Sequence, residues 1–117
     1  MITAVHALIY STDADADRAF IRDVLGFDSI DSGGGWLIFA LPPAELGIHP
    51  TDGEPHHELF LICDDVERTV AELGAKGVEF EGGIVDARFG RLTTIRLPSG
   101  AGLPIYQPKH PVIAGKR

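Results

Sequence analysis

The sequence predicts an α+β fold: two tandem βαβββ modules whose strands form a curved, mainly antiparallel sheet around a cleft, with helices on the outer face. Three observations carry this. The run Glu58-Leu59-Phe60-Leu61-Ile62-Cys63-Asp64-Asp65 is short, apolar and acid-terminated, and a helical pattern follows at once. An earlier run, His6-Ala7-Leu8-Ile9-Tyr10-Ser11-Thr12-Asp13, has the same shape, so that Glu58 overlays His6 and Asp65 overlays Asp13. Three strand-like runs with short connections follow each helix, which points to an antiparallel meander with helices on one face and a ligand-sized hollow on the other. The chain of 117 residues is one domain's worth, with a first repeat over about 3–50, a connector over 51–57, a second repeat over 58–108 and a loose tail over 109–117.

Taken in order, residues 5–11 alternate as a strand, with Val5, Ala7 and Ile9 on one face and His6, Leu8 and Tyr10 on the other. Thr12 or Asp13 can cap a helix over 14–25, where Ala16, Phe20 and Val24 form the inward stripe and Gly26 ends it. Residues 27–31 read as a weak strand, Gly33-Gly34-Gly35 as a turn and Trp36–Leu41 as a better strand. Pro42-Pro43 breaks the ladder, and Leu46-Gly47-Ile48-His49 is one more short strand. The plan then repeats: strand 58–63, Asp65 as a cap, helix 66–76 with Val66, Val70 and Leu73 inward, and Gly77 as its stop. Val78–Glu81 is a weak strand, Gly82-Gly83 opens a loop running through Gly90, and Arg91–Leu97 and Leu103–Tyr106 are strands around a Pro98-Ser99-Gly100 turn. The expected core is Val5, Ala7, Ile9, Phe20, Val24, Leu59, Leu61, Val70 and Leu73.

Composition narrows the partners. A net charge of −7 with no block of lysine or arginine argues against nucleic acid and favours neutral or cationic small molecules. No apolar run is long enough to cross a bilayer and no amino-terminal signal pattern is present, so no membrane partner is expected. The single cysteine, Cys63, precludes an intramolecular disulfide, and the expectation is a cytoplasmic protein.

The duplicated βαβββ plan resembles the vicinal oxygen chelate superfamily, which includes glyoxalase I, extradiol dioxygenases, fosfomycin-resistance enzymes and bleomycin-resistance proteins. The resemblance rests on His6 in strand one, Asp13 before Gly26-Phe27, the Cys63-Asp64-Asp65 strand end, and Leu97-Pro98-Ser99-Gly100 before the last strand. It implies a homodimer. In metal-dependent members a divalent ion is held from the first and last strand of each half; the matching positions here are His6, Gly47, Glu58 and Pro104. Gly47 and Pro104 have no donor side chain, so half of that quartet is missing. A displaced set of His6, His49 and Glu58 would restore the two-His-one-carboxylate logic of Fe, with Mn, Ni or Zn as alternatives.

The preferred expectation is therefore a binding protein that sequesters an apolar or aromatic ligand without the usual metal and without a cofactor. The alternative is a metal-dependent lyase, isomerase or dioxygenase built on the displaced set. The candidate ligand-binding residues are His6, Leu8, Tyr10, Trp36, His49, Glu58, Phe60 and Tyr106, with Phe60 on the face of Glu58. His6 and Glu58, equivalent under the repeat, are expected to face each other. Phe89 reads as a lid or loop-packing residue, Cys63 as buried and inert, and His56, His57 and His110 as solvated.

Overall fold

In a computed structural model, which describes residues 6–115, the chain forms two helices and two open sheets. Helix α1 spans Ala14–Asp23, hairpin strands β1 and β2 span Ser29–Asp31 and Leu37–Phe39, and β3 is Leu61–Ile62. Helix α2 spans Val66–Ala75 and is followed by β4 (Glu79–Asp86), β5 (Gly90–Arg96) and β6 (Gly102–Pro108). The larger sheet has the order β3-β6-β5-β4: β4, β5 and β6 are an antiparallel meander, and β3 lies parallel to β6 at the edge.

Both helices start where their caps place them. The Asp13 carboxylate accepts from the Ala16 N–H at 3.3 Å and that of Asp65 from the Arg68 N–H at 3.1 Å. The helices lie on one face of the larger sheet, where Val78, Ile95, Leu97, Leu103 and Ile105 are buried beneath Phe20, Ile21, Val24 and Leu25 of the α1 region and Leu73 of α2. Leu59, Leu61 and Cys63 turn toward the same core, as their alternation requires. A polar tie joins α1 to the sheet: the buried Asp17 carboxylate accepts from Ser99 N–H at 3.0 Å and from Ser99 Oγ–H at 2.7 Å.

Four expectations are corrected. Residues 6–11 form no strand and are largely exposed, with Ile9 at 43% and Ala7 also exposed, so Ala7 and Ile9 leave the core; Val5 lies outside the described residues. Residues 46–49 are likewise coil, with Leu46 and Ile48 almost wholly exposed. In both places alternation is present, but a strand exists only through a hydrogen-bonded neighbour, and none is paired there. The presumed loop over 82–90 is instead mostly strand: β4 runs through Gly82-Gly83, and a register shift between Glu81 and Val85 absorbs the irregularity. From Lys109 to Ala114 the tail is pinned rather than loose. Lys109 N–H donates to the Phe89 carbonyl at 2.8 Å, Lys109 Nζ pairs with Asp86, and Glu45 Oε1 accepts from the N–H groups of Ile113 and Ala114, each at 3.0 Å.

The β1–β2 hairpin is separate from the larger sheet. Its turn is specified by Asp31, whose carboxylate accepts from the N–H groups of Gly33 and Gly35, and by positive φ at Gly33, Gly34 and Gly35.

Candidate functional site

The face of the larger sheet turned away from the helices carries an uncovered apolar row. Register places Val85 opposite Leu92, Leu92 opposite Tyr106, and Tyr106 opposite Ile62, so one residue from each of the four strands lines up across the sheet. Val85 is 59% exposed and Ile62 41%, although both are apolar. Two phenylalanines bracket the row. Phe60, just before β3, and Phe89, in the β4–β5 turn, each meet the Tyr106 ring edge-on with centroids 5.6 Å apart. The next rows on this face are polar, with Glu81 opposite Thr94 and Glu79 opposite Arg96, and the Arg96 guanidinium lies 3.7 Å from Glu81. The face is thus aromatic at one end and charged at the other.

Tyr106 is the hub of the aromatic end, and Gly90 makes its position possible. A Cβ on Gly90 would lie 2.5 Å from the Gln107 carbonyl oxygen and 2.8 Å from Tyr106 Cδ2, so a side chain there would occupy the space the ring fills. The Tyr106 hydroxyl lies 3.0 Å from His110 Nε2, and burial first, then the Glu45 charge, pushes its pKa up. A depression of about 330 Å³ opens beside it at the ends of β3 and β6, lined by Ile62, Cys63, Asp64, Gln107, Pro108 and Val112. The Gln107 side chain accepts from Val66 N–H at 3.0 Å and so fastens the start of α2 to this end of the sheet. Burial pushes the Cys63 thiol above its ordinary pKa, which suppresses thiolate.

Of the residues expected from sequence, the structure brings Phe60 and Tyr106 together. His6, Leu8 and Tyr10 lie on the exposed segment outside any strand. Trp36, 64% exposed, stacks under the Arg18 guanidinium at 4.8 Å from its ring centroid, beside α1. His49 lies in exposed coil. Glu58 is not matched with His6: its Oε1 accepts from His56 Nε2 at 3.0 Å, while His56 Nδ1 donates to the Glu54 carbonyl at 2.9 Å. Both ring nitrogens then act as donors, and these two contacts raise the His56 pKa, the carbonyl contributing most. The local chain supplies this partner only two residues away, which a strand-by-strand overlay does not anticipate.

The metal arrangement implied by the resemblance does not fit these residues. Gly47 and Pro104 offer no side-chain donor, and among the described residues no group of three or more His, Cys, Asp or Glu is placed to hold one ion. The set His6, His49 and Glu58 is therefore not assembled. Sequence reasoning missed Val85, Leu92, Ile62 and His110. Leu92 was recoverable, because Thr93, Ile95 and Leu97 point the other way; Val85 was hidden by the glycine pair before it, and His110 by its place in the tail.

No helix among the described residues is long and apolar enough to cross a membrane. No curated protein matches the sequence. Solved structures do match. TnmS3, an antibiotic binding protein from Streptomyces sp. CB03234, superposes with a TM-score of 0.66 at 25% identity, covering 92% of this chain and 98% of that one. A lactoylglutathione lyase from Agrobacterium tumefaciens gives 0.64 at 19% identity, covering 91% and 94%. A superfamily member from Sphaerobacter thermophilus gives 0.62 at 22% identity, covering 91% and 98%. Residues 3–105 match the sequence profile of the Glyoxalase/Bleomycin resistance protein/Dioxygenase superfamily, and the chain belongs to that superfamily.

Proposed function

We propose that this chain binds a small, mainly apolar or aromatic molecule on the uncovered face of its larger sheet, and does so without the usual metal quartet. The observation that carries the reading is the row Val85–Leu92–Tyr106–Ile62, exposed in part and bracketed by the rings of Phe60 and Phe89. A ligand laid on that row removes apolar area from water at about 25 cal/mol per Å² and meets aromatic edges on two sides. Tyr106 and His110 supply the polar end that orients it. Metal independence is supported by the donor inventory at positions 47 and 104. The structural neighbour TnmS3, an antibiotic binding protein, supports a binding role on this fold, and a cytoplasmic location accords with the lone cysteine.

The test is titration with 1-naphthol, followed by its fluorescence, with and without EDTA. Saturable binding that EDTA leaves unchanged and that Tyr106→Ala weakens by about tenfold is the expected outcome. Absence of saturable binding, or its loss with EDTA, overturns the reading.

A homodimer is part of the same proposal. The chain exposes 8896 Å², about 2,700 Å² more than the roughly 6,200 Å² of a folded monomer of its 12.6 kDa mass. Much of the apolar part lies between residues 8 and 48, where Leu8, Ile9, Tyr10, Ile30, Trp36, Ile38, Leu41, Leu46 and Ile48 are exposed. A stable interface takes about 800 Å² from each partner, well within that excess. A second copy is the occupant proposed, and light scattering at micromolar concentration should give twice the chain mass; a monomer refutes it.

A further inference from the structure

The two hydrogen bonds of His110 decide which way a proton points. Its Nδ1 lies 2.7 Å from the Pro111 carbonyl oxygen and its Nε2 lies 3.0 Å from the Tyr106 hydroxyl. A carbonyl oxygen can only accept, so Nδ1 carries the hydrogen, and in the neutral ring Nε2 presents a bare lone pair. The Tyr106 hydroxyl is then the donor to Nε2. A phenol has one proton to give, and this one is committed to the tail. What remains for a ligand at the aromatic end is the lone-pair density of Tyr106 Oη.

We infer that Tyr106 is a dedicated hydrogen-bond acceptor in the ligand site, set in that role by His110, and that the ligand is an aromatic molecule bearing a hydrogen-bond donor: a phenolic O–H, an N–H or a protonated amine. The inference deepens the small-molecule reading above and rests on it. Its surroundings agree. Glu45 is close enough for its charge to act on the Tyr106 phenol, and the chain as a whole carries a net charge of −7; both favour a donor or a cation over an anion. Two of the basic groups at this end are already engaged, Lys109 with Asp86 and Arg91 with Glu67 at 2.6 Å, while Arg88 lies exposed in the β4–β5 turn beside Phe89. A carboxylate or phosphate on the ligand would have to displace Asp86 or Glu67 to reach Lys109 or Arg91. His110 is thus a positioning residue, acting through the hydroxyl it orients.

A matched pair of probes separates this inference from the reading beneath it. 1-Naphthol and 1-methoxynaphthalene present the same rings, but only the first has a donor. The wild-type protein should bind 1-naphthol about 3- to 10-fold more tightly than the ether, the worth of one net hydrogen bond. In Tyr106→Phe, which keeps the ring, that ratio should fall to about one. In His110→Ala the freed hydroxyl can also donate to the ether oxygen, so the ratio should fall there too. A merely structural role for His110 would lower both affinities in parallel and leave the ratio intact. Equal binding of the two probes by the wild type, or a ratio unchanged in either variant, overturns the inference while leaving the ligand site standing. Binding of neither probe overturns both.

Discussion

Gly90→Ala isolates the contact on which the aromatic end depends. The added methyl would lie 2.5 Å from the Gln107 carbonyl oxygen and 2.8 Å from Tyr106 Cδ2. The first is backbone of the neighbouring strand, paired through Gly90↔Pro108 and Arg91↔Gln107, and the second belongs to a ring wedged between Phe60 and Phe89. Neither is the free end of a flexible side chain, so the strand or the ring must move. Inserting one carbon into such a contact costs about 1–3 kcal/mol. With an unfolding entropy of about 250 cal/mol/K for a chain of 117 residues, that is a fall in Tm of about 4–12 °C. Gly83→Ala is the matched control, since Gly83 also lies in the meander but its added Cβ meets nothing within 4 Å. That control should melt within about 2 °C of the wild type. Thermal unfolding by circular dichroism measures both. Because the ring is displaced, Gly90→Ala should also weaken 1-naphthol binding more than Gly83→Ala does. If the two variants melt within about 2 °C of each other, Tyr106 does not lie across Gly90, and the geometry of the aromatic end is wrong.

Two further predictions test what surrounds the site. Asp17→Ala strips the acceptor from both Ser99 N–H and Ser99 Oγ–H, and should cost about 2–3 kcal/mol in denaturant unfolding, since a buried carboxylate accepting two bonds is lost. Combined with Ser99→Ala it should show a coupling above about 1 kcal/mol; strictly additive effects would mean that the tie between α1 and the 98–100 turn contributes nothing as a pair. For pH, burial and the Glu45 charge raise the Tyr106 pKa above its ordinary 10.0, so the folded state holds this proton more tightly than the unfolded chain does. The corresponding stability is present in full below pH 10.0 and is lost as pH rises through the folded value. The stability gap between wild type and Tyr106→Phe should therefore shift against the wild type only above that pH. A shift in the opposite sense, or one completed in acid, contradicts the burial of this phenol.

The sequence by itself determined the features that depend on near neighbours. Both helices are legible because an aspartate cap, a 3.6-residue stripe and a terminal glycine lie close together in the chain, from Asp13 to Gly26 and from Asp65 to Gly77. The inward set Leu59, Leu61 and Cys63, and hence the outward place of Phe60, follow from two-residue alternation alone. The α+β class follows from that mixture of helices and strands, and the superfamily is legible in the sequence itself over residues 3–105.

Tertiary structure decided everything that needs a distant partner. Residues 6–11 and 46–49 carry strand patterning, yet remain coil because a strand is a paired object and pairing is not written in one segment. Gly82-Gly83 reads as a loop, but β5 offers a ladder long enough to carry β4 through it with one register shift. The candidate site is of the same kind. Val85, Leu92, Tyr106 and Ile62 come from four strands and meet only through register, and Gly90 matters because a ring from the next strand lies across it. His110, which by composition looks solvated, acquires its role because the Pro111 carbonyl holds one nitrogen and so turns the other toward Tyr106.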